Sequence, residues 1–233
     1  ANGIVSLVIQ KNDGRITTFN RIGGPNLVGN TGSAGMYFDA NLTVGTNSLY
    51  TGIAPGTYSV VTNTAARVEI MIRNQNFGKP SGWTVGGFDV ELHFSLNSTD
   101  SGFHSYNVWR HGAGKPEASL GQTRTVTRTD PNLFASSASV TRYAYSSTNN
   151  FGQSRGVIPG ENPQQIADAT TEYPPGTYYT NAVGSNYNGM PVYSKYDWSD
   201  LLEHHTAQGY ANTTNGIWLI HGSMEYYNGG PKK

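Results

Sequence analysis

Hydrophobic and polar residues alternate with a period of two through much of the first half of the chain, the spacing of strands with one face on a core and the other toward water. Ile4-Val5-Ser6-Leu7-Val8-Ile9 ends at Asn12-Asp13-Gly14, and Arg15-Ile16-Thr17-Thr18-Phe19 resumes the alternation, which predicts a β-hairpin with a two-residue turn. Gly23-Gly24-Pro25-Asn26 closes that strand, and Gly35-Met36-Tyr37-Phe38-Asp39-Ala40 opens the next. The pattern recurs at residues 57–62, 66–73 and 88–96. In the run 66–73, Arg67, Glu69 and Arg73 oppose Ala66, Val68, Ile70 and Ile72, so the apolar set is expected on a core. Residues 88–94 alternate likewise, with His93 on the polar face as a surface or cleft histidine. The two runs are expected to be antiparallel neighbours, and no useful helical period occurs through residue 110.

Phe103-His104-Ser105-Tyr106-Asn107-Val108-Trp109-Arg110-His111 packs aromatics, two histidines and an arginine into one short strand. His104 and His111 are seven apart with no carboxylate in ligand spacing, so no metal site is expected there. Gln122-Thr123-Arg124-Thr125-Val126-Thr127-Arg128 alternates so that the threonines share one face and Arg124, Val126 and Arg128 the other. Two arginines at that spacing lie about 13 Å apart along a strand. They suit successive carboxylates of an acidic polymer, and spacing alone suits ordinary exposed arginines as well.

Residues 129–190 read as a long irregular region carrying Pro131, Pro159, Pro163, Pro174 and Pro175, with a helical turn suggested at 164–169. A short helix over 200–205, capped by Ser199, and an apolar strand Gly216-Ile217-Trp218-Leu219-Ile220 follow. Between them and that loop stands Lys195, flanked by Tyr193, Tyr196 and Asp197. By its neighbours alone it is a solvated charge in a cross-strand pair.

Composition sharpens this. The 15 basic and 15 acidic residues cancel, and charged residues make up only 13% of the chain, so no broad field exists to hold nucleic acid or an anionic membrane. Glycine at 29 and tyrosine at 15, with many Asn, Ser and Thr, make a turn-rich chain suited to sugars: a pyranose lays its apolar face on an aromatic ring while its hydroxyls seek polar groups. With no cysteine there is neither a disulfide framework nor a thiolate metal site. The Ala1-Asn2-Gly3 start lacks signal-peptide regions and no apolar run reaches the ~20 residues of a membrane span, which reads as mature, soluble protein. Sequons at Asn41, Asn97 and Asn212 are candidate glycosylation sites and favour secretion.

Three segments carry a family resemblance. Gly216-Ile217-Trp218-Leu219-Ile220 with Ser223-Met224-Glu225-Tyr226-Tyr227-Asn228-Gly229-Gly230-Pro231 resembles the strand and Gly-Gly-Pro turn of the rhamnogalacturonan lyases of polysaccharide lyase family 4. Ser194-Lys195-Tyr196 is similar to the segment bearing that family's catalytic lysine, and Gly121 to Arg128 to its substrate-binding arginine strand. The first hairpin, Val5 to Ile16, also looks like the family's first hairpin.

The resemblance implies an all-β, antiparallel β-super-sandwich of the galactose-mutarotase-like kind, one catalytic domain over residues 1–233 at the N-terminal side of a longer multidomain lyase. It implies β-elimination at C4 of galacturonate in rhamnogalacturonan I, the pectin backbone, with Lys195 catalytic and Arg124, Arg128, Tyr193 and Trp109 binding substrate. The partner expected is an acidic plant cell-wall polysaccharide, met outside the cell. No cofactor is expected, and a structural calcium stays open. Family members are longer and carry their histidine base downstream of the Gly-Gly-Pro turn. The base then comes from a C-terminal fragment of the same lyase, or the chain is a truncated product; His204, His205 and His221 match no family position. Two other readings stay open: a non-catalytic carbohydrate-binding module stacking sugars on Trp109, Trp198 and Tyr193, and a mutarotase-type sugar epimerase on the same fold.

Overall fold

The computed structural model describes residues 1–29, 35–130 and 133, the strand backbones at 141–145, 154–156, 164–167, 170–172, 186–187, 190–194 and 207–211, and residues 214–220, with side chains through Trp218. No helix occurs among the described residues, so the all-β expectation holds there. By its contacts the chain divides into two compact units, Ala1–Asp130 and Pro131–Lys233.

The first unit carries β1 (Val5–Ile9), β2 (Ile16–Arg21), β3 (Gly35–Val44), β4 (Asn47–Gly52), β5 (Thr57–Asn63), β6 (Arg67–Phe77), β7 (Phe88–Asn97), β8 (His104–Arg110) and β9 (Ala118–Arg128). They form two antiparallel sheets, β1-β2-β3-β4 with β9 joined to β3, and β5-β6-β7-β8. One core lies between them: Phe38, Ala40, Leu42 and Val44 of β3 meet Ile72 and Phe77 of β6 and Phe88, Val90 and Leu92 of β7. The two-residue period of each strand sends these side chains inward. The result is a sandwich of two sheets, as the resemblance implies, with β6 and β7 the antiparallel neighbours that the alternation predicts.

The first hairpin differs from expectation in its loop. Gln10 N donates to Arg15 O at 2.8 Å and Gly14 N to Gln10 O at 3.0 Å, so four residues, Lys11 to Gly14, make the turn. Gly14 has a left-handed φ of 67°, which glycine adopts without a Cβ penalty, and Asp13 Oδ1 accepts the Arg15 N–H at 3.0 Å.

The sheet β5-β6-β7-β8 departs further from the simple two-face reading. At the start of β6, Val68 is 40% exposed whereas Glu69 is only 5% exposed. His93, expected on the polar face as a surface or cleft histidine, is 8% exposed. The cause is a polar layer on the outward face of the sheet. His93 Nδ1 lies 2.9 Å from Glu69 Oε1 and its Nε2 3.4 Å from Glu91 Oε2. Tyr106 covers the ring and donates its hydroxyl to Glu69 Oε1 at 2.8 Å. Arg67 and Arg110 close on Glu69 and Glu91 at 2.6 Å each, and Arg73 pairs with Asp89. Buried polar groups persist when each finds a partner, and these do.

In the second unit β10 (Thr141–Tyr145), β11 (Ser154–Gly156), β12 (Gln164–Ala167), β13 (Thr170–Glu172), β14 (Asn186–Tyr187), β15 (Met190–Ser194), β16 (Ala207–Ala211) and β17 (Gly216–Ile220) form two four-stranded antiparallel sheets, β11-β10-β16-β17 and β12-β13-β15-β14. The helical turn suggested at 164–169 is strand at 164–167, paired with β13. An isolated turn of about six residues does not nucleate a helix without help, and the neighbouring strand supplies the hydrogen bonds instead. The apolar strand 216–220 stands as predicted. The helix suggested over 200–205 lies outside the described residues.

Two outcomes follow for stability. Phe77, fully buried between Phe38 and Trp109, costs about 3–5 kcal/mol when cut to alanine, read from urea unfolding of the native and substituted proteins. The carboxyls of the polar layer lie below their ordinary range: Glu69 chiefly through the Tyr106 hydroxyl, Asp89 through the Arg73 guanidinium, and Glu91 through that of Arg110, each against an opposing cost of burial. A depressed folded-state pKa contributes stability above the unfolded value and loses it as pH falls through the folded one. The melting temperature therefore drops progressively below about pH 5, and Asp89→Asn flattens part of that slope.

Candidate functional site on the outward face of the β3 and β9 sheet

Strand β3 places Phe38, Ala40 and Leu42 inward, which turns Tyr37, Asp39 and Asn41 to the opposite face. The register brings Arg124 beside Asp39 and Arg128 beside Gly35 on one flank, and Tyr50 beside Asn41 on the other. Directly paired antiparallel residues share a face, so the arginine face of β9 and the outward face of β3 are one surface.

On that surface Asp39 is 4% exposed although it points away from the core. Arg124 covers it bidentately, Nε to Oδ1 at 2.7 Å and Nη2 to Oδ2 at 2.9 Å. Tyr50 donates its hydroxyl to Asp39 Oδ2 and accepts from Arg124 Nη2, while the guanidinium also lies over the Tyr50 ring, 5.4 Å from its centroid. The bond to Asp39, burial and the nearby carboxylate charge raise the Tyr50 pKa, against the pull of Arg124. The phenol stays protonated and keeps donating. This planar fork holds the guanidinium in one orientation, with 26% of the Arg124 side chain still exposed.

A third arginine joins the two expected ones. Arg15 lies over the Tyr37 ring at 4.8 Å from its centroid, and Arg128 over the same ring at 5.8 Å, with Nη2 and Nε at 3.3 and 3.4 Å from the Tyr37 hydroxyl. Tyr37 thus ties Arg15 to Arg128, and Tyr50 backs Arg124. Sequence reasoning missed Asp39, Tyr50, Tyr37 and Arg15. The available signal was an aspartate between Phe38 and Ala40 in a core strand, a position that requires a partner.

The remaining expected site residues fall elsewhere. Trp109, expected to bind substrate, is a partly buried ring packed against the core, edge-on to Phe77 at 5.2 Å and Phe88 at 5.3 Å and tilted against Phe38 at 5.8 Å. Its place opposite Val90 in the β7–β8 register points it inward. Tyr193 lies in β15 opposite Thr171 of β13, in the second unit. Lys195, Trp198, His204, His205, Asn212 and His221 lie outside the described residues. Asn41 is exposed on the arginine face, whereas the Asn97 amide donates to Asp100 Oδ2 at 2.8 Å. His104 reaches Asp100 at 3.1 Å, and His111 reaches the Pro116 carbonyl at 2.9 Å.

Fold and face together define an antiparallel β-sandwich with a surface on which three arginines are backed by tyrosines. The family model described as the rhamnogalacturonate lyase family matches residues 1–142, well over half of the 233 residues. The chain belongs to that family and is a polysaccharide lyase in kind. No curated protein and no solved structure matches it. The matched stretch takes in Arg15, Asp39, Tyr50, Arg124 and Arg128; Lys195 lies beyond it.

The unequal burial of the Asp39–Arg124 pair predicts unequal losses. Arg124→Ala leaves a buried carboxylate and costs on the order of 2–3 kcal/mol, less than a wholly buried pair because Arg124 is partly solvated. Asp39→Ala leaves an arginine that can turn to water and costs roughly half as much. Urea unfolding of the two variants gives the order.

Proposed function

We propose that the protein cleaves the rhamnogalacturonan I backbone by β-elimination at C4 of galacturonate, as a rhamnogalacturonan endolyase outside the cell. The observation that carries this reading is the guanidinium of Arg124, fixed by Asp39 and Tyr50 on a face shared with Arg128 and Arg15. Family membership supports the reaction class.

Elimination removes H5 beside the uronate carboxylate, and negative charge accumulates on a group already anionic. Neutralising that carboxylate with fixed cations lowers the barrier because the donors need no reorganisation during the reaction. Arg124 fills this role in part: its Nε and Nη2 are committed to Asp39 and its charge is shared with that carboxylate, so it contributes an oriented guanidinium that stays charged at any working pH. Arg128 and Arg15 extend the positive surface toward neighbouring uronates. Lys195, nominated by its resemblance to the family's lysine segment, acts at the reacting sugar, where an ammonium can both neutralise charge and move a proton. The same resemblance assigns the base to a histidine downstream of the Gly-Gly-Pro turn, so the natural full-length polypeptide is the material for assay.

The acidic polysaccharide is the partner this surface fits, and a formal net charge of zero supports neither nucleic acid nor an anionic membrane. A glycan on Asn41 would stand two residues from Asp39 on the arginine face. The Asn97 side-chain nitrogen is engaged with Asp100, so glycosylation is better served by Asn212.

The test is the ultraviolet absorbance of 4,5-unsaturated uronide during incubation with rhamnogalacturonan. Rising absorbance is expected, and its absence with the full-length protein would overturn the reading. Lys195→Ala lowers kcat by roughly 10²–10⁴-fold with binding retained. Arg124→Ala raises KM by about 10–100-fold, the worth of a lost charged hydrogen-bond pair; unchanged KM counts against its role.

A further inference from the structure

The outward face of the other sheet carries an aromatic surface that the lyase reading does not use. Tyr106 starts on β8, crosses above β7 and ends at Glu69 of β6, where its hydroxyl donates at 2.8 Å. On the way its ring stacks on His93, centroids 4.4 Å apart and planes 9° from parallel. The histidine beneath is 8% exposed while Tyr106 is 46% exposed. The inner face of the tyrosine is therefore occupied and its outer face turned to solvent. Anchored at both the backbone and the hydroxyl, the ring lies flat and rigid.

Charge around this ring is layered. The carboxylate side chains of Glu69 and Glu91 are 7% and 10% exposed, whereas Arg67 and Arg110, which cover them, are 47% and 50% exposed. Solvent meets guanidinium groups while the acids lie underneath. Arg67 bonds Glu69 Oε2 and Tyr106 bonds Oε1 of the same carboxylate, which puts a cation next to the hydroxyl end of the ring. Arg110 lies four residues along β8, about 13 Å away. An exposed flat ring between two cations is complementary to a chain of pyranoses bearing carboxylates: the apolar sugar face stacks, and the uronate meets an arginine.

We propose that Tyr106, with Arg67 and Arg110, forms a second polysaccharide-binding surface that takes a uronate-containing glycan and does no chemistry. It lies on the opposite side of the first unit's sandwich from Arg124, since each surface faces away from the shared core. It holds the polymer near the enzyme and raises the local concentration of cleavable bonds. The glycan class rests on the lyase reading above.

The experiment compares native protein with Tyr106→Ala, Tyr106→Phe and Arg67→Gln, each checked for folding by circular dichroism. Retention is measured in gels containing rhamnogalacturonan, and turnover on short soluble rhamnogalacturonan oligosaccharides. Tyr106→Ala should weaken retention on the order of 3–10-fold, Tyr106→Phe should keep it, and Arg67→Gln should weaken it, all with oligosaccharide turnover within about twofold of native. Native retention by folded Tyr106→Ala would overturn the proposal. If Tyr106→Ala fails to fold, native retention by Arg67→Gln overturns it instead. Loss of turnover in parallel with retention also overturns it, by placing Tyr106 in the catalytic cleft. A native protein without lyase activity refutes the lyase reading alone, because retention still judges the Tyr106 surface.

Discussion

Strand β3 is paired along both edges, with β9 over its whole length and with β2 and β4 on the other flank, and the arginine face depends on that. A strand held on both sides cannot slip by one residue without exchanging its two faces. Here a slip would drive Asp39 into the layer of Phe77 and Phe88 and expel Phe38, Ala40 and Leu42. The cost of such an exchange pins the register. The register in turn puts Arg124 beside Asp39, and from that contact follow the place of Tyr50 and the fixed direction of the guanidinium.

The buried carboxylate is not primarily a source of stability. Taking two charges out of water offsets much of their attraction, and apolar residues of similar size often serve a fold as well. What the pair supplies is orientation. A lone surface arginine spends its rotamer freedom when it grips a ligand, whereas one already held by Asp39 and Tyr50 has lost that freedom on folding. On the other sheet the same elements serve a different geometry. There the carboxylates of Glu69 and Glu91 flank His93 beneath Tyr106 and the arginines, and the surface offers a flat ring flanked by cations. Two outward faces of one sandwich thus present arginine in two ways, as a rigid fork and as a rim around an aromatic.

Legibility from sequence followed the range of the interactions. Most strands of the first unit, though not β4, the pairing of β6 with β7 and the common face of Arg124 and Arg128 are local or nearly local, and alternation revealed them. The partners of Arg124 were not visible, because Asp39 is 85 positions away and Tyr50 is 74, and no pattern within one strand records what stands across from it. The depth of His93 was not visible for a related reason. A polar residue on a polar face reads as exposed, yet a tyrosine from β8 and acids from β6 and β7 cover it. The inward packing of Trp109 was likewise not visible: its strand is rich in polar residues, but its parity turns the ring toward the core. The four-residue loop at Lys11 to Gly14 escaped because Asn12-Asp13-Gly14 marks a turn without stating its length.

What this sequence determined by itself is a set of two-faced strands, their turns, a composition suited to sugars and a likeness to one lyase family, all readable because a period of two and the turn residues act over a few positions. Tertiary structure alone decided which polar residues are buried, which aromatic is core and which is surface, and that Arg15 joins Arg124 and Arg128. Those outcomes depend on cross-strand register and on packing between sheets, where residues far apart in the chain meet and the cost of burying an unpaired charge selects the arrangement.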